Sequence, residues 1–263
     1  MLQLIPAAPG SPPPPQPADA DRLPRSATML RRDRAARAYD RAVRDQDAAR
    51  DAAAHGDTAA ALAHLGRALT GLDEVVALLP YCAEAYHDRA LLRQKLHDLD
   101  GALADYDAAL RLGGPDADAL NNRGLALAAL GHPHTALQDY DAALALLDAG
   151  GPPLVCARLH YNRGNALMEV FRPADAVTAY GAAIAARPGY ARALFNRALA
   201  YAALGLDSLA DADLTAYLLL SPDDASAYEH RAAARQRLGD DAAARGDLES
   251  AIQLILDDAE TPL

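Results

Sequence analysis

The chain has 263 residues, 51% of them hydrophobic, and a formal net charge of −11. That apolar content suits one or two globular domains, or an all-helical array that buries its core between neighbouring repeats, while the negative balance disfavours a phosphate-tracking surface and hence nucleic acid as a partner. Cys82 and Cys156 are the only cysteines and lack metal-ligand spacing, which excludes a disulfide scaffold and points to reduced thiols in the cytoplasm; no apolar run approaches the ~18 residues of a membrane span.

Residues 1–24 hold eight of the 17 prolines. They carry too little apolar surface to offset the entropy of ordering and read as a disordered, polyproline-like tail, in which Pro12-Pro13-Pro14-Pro15 suits an aromatic groove or is simply flexible. Met1-Leu2-Gln3-Leu4-Ile5-Pro6 lacks the basic flank and apolar length of a secretory signal. Residues 22–50 then hold nine arginines against four aspartates, net +5, so the remainder of the chain is net −16. From Ser26 to Ala54 the spacing predicts a helix, with Tyr39, Ala42 and Val43 on one face and the pairs Asp33/Arg37 and Asp40/Arg44 on the other. His55-Gly56-Asp57 breaks it. A second helix from Thr58 to Leu79 carries Leu62, Leu65, Leu69, Leu72, Val76 and Leu79 at three- and four-residue steps. Together, residues 25–82 form a divergent hairpin, an N-terminal cap for a helical array.

Beyond it the sequence repeats. Tyr161-Asn162-Arg163-Gly164 has relatives at Asp88-Arg89-Ala90, Asn122-Arg123-Gly124, Asn196-Arg197-Ala198 and His230-Arg231-Ala232, each 34 residues from its neighbour except across one six-residue insertion at Asp148 to Pro153. Five blocks result, 83–116, 117–156 with the insertion, 157–190, 191–224 and 225–258, with a short tail at 259–263. Position eight of every block is Ala or Gly. Position twenty is always Ala (Ala102, Ala136, Ala176, Ala210, Ala244), and position twenty-four is Tyr106, Tyr140, Tyr180, Leu214 or Leu248. Small residues belong where helices touch, and large apolar residues fill the space beside them. Turn residues divide each block into two helices: His97-Asp98, Gly131-His132-Pro133, Phe171-Arg172-Pro173, Gly205-Leu206-Asp207 and Gly239-Asp240.

These positions resemble the tetratricopeptide repeat family. Ala109, Ala143, Ala183 and Ala251 match its position twenty-seven, and Pro188 and Pro222 its position thirty-two. The resemblance covers Ala83 to about Asp258. It implies an all-α fold, a solenoid of helical hairpins wound as a right-handed superhelix, and a non-catalytic adaptor that binds an extended segment of a partner protein in a concave groove.

Arginine at position seven of all five repeats (Arg89, Arg123, Arg163, Arg197, Arg231) is the strongest polar regularity. A row of cations invites an anionic ligand, but position twenty-three holds Asp105, Asp139, Asp213 and Asp247, so structural Arg–Asp pairs are expected instead. The third repeat has Ala179 there, which leaves Arg163 freer. Position six offers Asp88, Asn122, Asn162, Asn196 and His230, and in the family it resembles a groove-facing position. An asparagine presents a donor and an acceptor together, so a ladder of three suits a peptide backbone whatever its sequence. The bland alternative is a tolerated surface residue. Other groove positions contribute Asn121, Leu125, Arg158, Tyr161, Asn165, Met168, Arg192, Phe195 and Leu199; the two arginines favour an acidic group on the ligand. Chaperone-binding members clamp a C-terminal carboxylate with cations beside Asn. Asn165 and Asn196 match two of those places, but Tyr161, Ser226 and His230 stand where the cations belong.

No phosphate-binding Gly loop, nucleophile elbow or zinc motif is present, His132-Pro133-His134 lacks a third ligand, and Asp223-Asp224 and Asp257-Asp258 sit where helix ends want caps. No enzyme activity, cofactor or metal is expected. The alternative reading is a self-associating scaffold, a homo-oligomer joined through the apolar stretch Leu248, Ile252, Leu254, Ile255 and Leu256, which no capping helix follows, with the N-terminal helix as a second candidate contact.

Overall fold

The structure, a computed structural model, describes residues 25–147 and 150–260. The Pro-rich stretch 1–24 and the last three residues lie outside the described part. Among the described residues there are twelve α-helices and no strand: α1 (Arg25–Ala54), α2 (Thr58–Leu78), α3 (Ala83–Lys95), α4 (Leu99–Gly113), α5 (Ala117–Ala129), α6 (Pro133–Leu147), α7 (Pro153–Glu169), α8 (Pro173–Ala186), α9 (Ala191–Ala203), α10 (Asp207–Leu218), α11 (Ala225–Arg237) and α12 (Asp241–Glu260). They pair as antiparallel hairpins in chain order. Two compact units result, one ending at Gly114 and one beginning at Pro115.

Alanine and leucine favour helix, and aspartate side chains start several of these helices by accepting orphan backbone N–H groups. Asp57 Oδ1 accepts from Ala60 N (2.9 Å), Asp98 Oδ1 from Gly101 N (3.0 Å), Asp116 Oδ1 from Ala119 N (2.7 Å) and Asp240 Oδ1 from Ala243 N (3.1 Å). Asp224 caps α11 through Ser226 N at 3.0 Å. Pro133 and Pro173 open α6 and α8, where a missing N–H costs nothing. The turn after each first helix needs one residue in the left-handed region: Gly131, Gly205 and Gly239 supply it in three repeats, whereas His97 (φ 62°) and Phe171 (φ 57°) do so in the other two.

The insertion before the third repeat is partly absorbed into helix. Here α7 runs 17 residues from Pro153, against 13 for α5, α9 and α11, so the extra chain adds a turn to its N-terminus.

The first unit, α1 to α4, places α3 against α2. Alanines on α1 (Ala35, Ala38, Ala42, Ala49) are buried, and Gly71 of α2 lets the two helices close up: a Cβ there would stand 3.1 Å from that of Ala42. In the second unit, α5, α7, α9 and α11 touch one another in series. Their partners α6, α8 and α10 do not touch one another; each packs between its own first helix and the next. The first helices therefore share one layer.

Position twenty is almost wholly buried in every repeat, which is why it holds only Ala. Position eight is small for the same reason. A Cβ on Gly124 would stand 2.6 Å from the Tyr140 ring, and one on Gly164 would collide with Tyr180. Burial raises the phenol pKa of Tyr106, Tyr140 and Tyr180 well above the ordinary range, so these three rings are permanent neutral core.

Candidate functional site

The arginines of position seven are structural in four repeats. Arg123, Arg197, Arg231 and Arg89 each grip the aspartate sixteen residues on through Nε and Nη2, at 2.8 and 2.6 Å for Asp139, 2.7 and 2.8 Å for Asp213, 3.0 and 2.6 Å for Asp247, and 2.8 and 2.6 Å for Asp105. Two N–H groups on one guanidinium edge match the two carboxylate oxygens, the strongest geometry such a pair offers. Arg93 and Arg235 join the carboxylates of Asp105 and Asp247 at 2.8 and 2.9 Å. In the third repeat Ala179 removes the partner, and Arg163 turns to Asp141 through a single bond of 2.6 Å at the surface. It is bound less firmly than its counterparts but is not without a partner.

The asparagines bond chiefly to one another. Asn162 Nδ2 donates to Asn121 Oδ1 (2.8 Å), and Asn121 Nδ2 donates to Asn122 Oδ1 (3.1 Å), a chain running from α7 to α5. Asn196 Nδ2 donates to Asn165 Oδ1 (2.9 Å) and reaches the Tyr161 hydroxyl at 3.3 Å; Tyr180 donates to the same Asn165 oxygen (2.8 Å). Asn121 and Asn162 are only 1% and 8% exposed, while Asn122, Asn165 and Asn196 are half-buried. Asp88, the position-six residue of the first unit, accepts from the Tyr39 hydroxyl (2.8 Å), which pushes that phenol up to about 12.

Around the asparagines the first-helix layer of the second unit gathers an aromatic row. The Tyr161 ring lies 5.1 Å from Tyr190 and 6.0 Å from Tyr180; the Phe195 ring lies 5.1 Å from Tyr217 and 5.6 Å from His230. Leu125, Met168 and Leu199 are half-buried, and Arg158, Arg192 and His230 are exposed. Arg158 bonds to Asp118 (2.7 Å), whereas Arg192 makes no ion pair among the described residues. Burial and neighbouring Tyr161 raise the Tyr190 phenol, and Arg187, Arg192 and Arg158 pull it partly back, so three cations lie near one ring in an acidic chain. Arg187 is 5.0 Å from its centroid.

Tyr190 and Tyr217 are the two members of this row that sequence reasoning passes over. Tyr217 had a signal, since it interrupts the alanines at position twenty-seven. Tyr190 lies between repeats, where the period marks nothing. Among the described residues no group of His, Cys, Asp and Glu could hold a metal ion, and no helix is long and apolar enough to cross a membrane.

An all-α array of hairpins with a shared first-helix layer and a repeated Arg–Asp fork defines a helical-repeat protein. The tetratricopeptide repeat profile matches residues 87–152 and 161–225, and the chain belongs to that family. Solved structures with the same fold include MamA from Desulfovibrio magneticus RS-1, 21% identical with a TM-score of 0.62, covering 68% of this chain and 97% of its own. YrrB, described as a tetratricopeptide repeat protein with an unusual peptide-binding site, is 22% identical with a TM-score of 0.60, covering 70% and 91%. PilW, a type IV pilus biogenesis factor, is 21% identical with a TM-score of 0.66, covering 84% and 94%. No curated protein matches the chain by sequence. Proteins of this family are in general interaction scaffolds and typically non-catalytic.

Proposed function

We propose that the second unit is a non-catalytic adaptor that holds an extended, partly acidic segment of a partner protein along the layer formed by α5, α7, α9 and α11. The observation that carries this reading is the asparagine network. Its internal bonds fix the amides, and the groups left over, Asn122 Nδ2, Asn162 Oδ1 and Asn196 Oδ1, have no hydrogen bond among the described residues. A backbone laid across them would meet one donor and two acceptors already oriented, so little entropy is lost on binding. Asn121 and Asn165 support them from behind. Tyr161, Phe195, Leu125, Met168 and Leu199 would take apolar side chains, and Arg158, Arg192 and His230 would favour carboxylates at the rim. The peptide-binding site described for YrrB is in keeping with this use of the fold. We place the protein in the cytoplasm, where its two free thiols, Cys82 and Cys156, would stay reduced.

Peptides selected from a displayed random library on the wild-type protein test the reading. The selected set should be extended and acidic, and Phe195→Ala and Arg192→Glu should each weaken binding about tenfold, ~1.4 kcal/mol, without loss of helix content. Peptides that bind both variants as tightly as wild type would move the site elsewhere.

A further inference from the structure

We propose that the uncovered face of α12 seats α1 of a second copy of this chain, head to tail. Within each unit the equivalent surface is covered by a helix wherever another hairpin comes next. Leu218 of α10 lies in a buried cluster with Ala227 and Ala234 of α11, and Val76 of α2 lies in one with Ala85 of α3. Ile252 holds in α12 the place that Leu218 holds in α10, thirty-four residues on, yet it is 58% exposed, and Ile255 and Leu256 beside it are more than half exposed as well. In α2, α6, α8 and α10 this face packs against the next first helix, whereas among the described residues no helix packs on it in α12. A helix is therefore the shape the surface is built to receive.

Charge selects which helix. Beside Asp247, which Arg231 and Arg235 hold, α12 carries five further carboxylates against a single cation, Arg245, so a contact between two copies of α12 would bring like charges together. α1 is the reverse, with eight arginines against five aspartates. Arg34 and Arg41 are held by Glu74, but Arg37 and Arg44 make no ion pair among the described residues and stand exposed, as does Val43. Their stems can lie on Ile252 and Ile255 while their heads reach Glu249, which is exposed at the rim of the same face. Because the two surfaces differ, the contact is heterologous, and each copy offers one of each.

Sedimentation of the full chain at rising concentration, at low and high salt, provides the test. Wild type should associate progressively, about fivefold more weakly at high salt. A tail variant, Ile252→Asp with Ile255→Asp, and a head variant, Arg37→Glu with Arg44→Glu, should each stay monomeric with helix content unchanged. Mixed in equal amounts they should form one-to-one dimers and nothing larger, since one supplies the intact head and the other the intact tail. A head variant that associates like wild type, a mixture that stays monomeric, or a monomeric wild type would each overturn the proposal.

Discussion

The third repeat and its neighbours solve the same packing problem differently. In α5–α6 and α9–α10 a largely buried aspartate ties Arg123 and Arg197 to the second helix by two short bonds, whereas in α7–α8 that aspartate is Ala179 and Arg163 settles for an exposed partner in the preceding helix. The same repeat has the lengthened first helix, the aromatic left-handed turn at Phe171, and the residues Tyr161, Asn162 and Asn165 at the centre of the candidate site. The repeat that departs furthest from the structural pattern thus supplies the largest share of the candidate site's residues. Its neighbours hold the array together on either side.

Removing Asp213 is the most damaging way to break that contrast. Its carboxylate is about nine-tenths buried, so Asp213→Ala strands the Arg197 guanidinium without its partner and should destabilise the protein by ~3 kcal/mol. Asp141→Ala removes the corresponding partner of Arg163, but that pair is exposed, and the loss should stay within ~0.5 kcal/mol. Urea unfolding followed by circular dichroism measures both. Equal effects would mean that the forks are no more structural than a surface pair. Because each repeat is stabilised mainly by its neighbours, the Asp213 variant should also loosen α11 and α12, visible as faster amide exchange there.

A smaller effect separates the repeats by ring and glycine. Gly164→Ala puts a methyl group into the Tyr180 ring, which is held by its bond to Asn165 and by the surrounding helices, so the ring must shift. A cost of ~2 kcal/mol is expected, with Asn165 and Asn196 displaced along with the phenol. Ala90, at the same place in the first unit, already carries that methyl group beside Tyr106, and Ala90→Gly should instead leave a small void worth about 1 kcal/mol. Thermal unfolding of both variants checks the pair.

What was legible in the sequence is what a period can encode. Position twenty as Ala and position eight as Ala or Gly recur because the same contact is made in every repeat, and the Arg–Asp forks because theirs is made in all but the third, so they could be read without coordinates. The asparagine network could not. Asn121 bonds to Asn162 across a gap of 41 residues that spans the insertion, and its burial depends on how α5 meets α7. The family resemblance implied a groove-facing place for Asn162; it could not show that its amide would be taken up by another asparagine. Tyr190 escaped notice because it belongs to a connection between repeats, and Arg192 and Arg158 acquire meaning chiefly through the ring they flank. The hairpin of α1 and α2 was legible as helices from its apolar steps, but its Glu74 bridges to Arg34 and Arg41 join charges that periodicity treats as solvated.

The gentlest change runs in the opposite direction. Phe171 is 91% exposed and sits at φ 57°, in the turn where Gly131, Gly205 and Gly239 serve the other repeats of the second unit. A side chain in the left-handed region costs ~1–2 kcal/mol, and an exposed ring recovers none of that by burial. Phe171→Gly removes the penalty, loses almost no packing, and adds some chain entropy to the unfolded state, so it should stabilise the protein by roughly 0.5–1 kcal/mol. Gly205→Phe should lose a similar amount in the neighbouring repeat, which makes the two substitutions internal controls for each other in one thermal unfolding series. If Phe171→Gly instead lowers the midpoint, the ring is holding something in place, and the third repeat departs from its neighbours for the sake of stability.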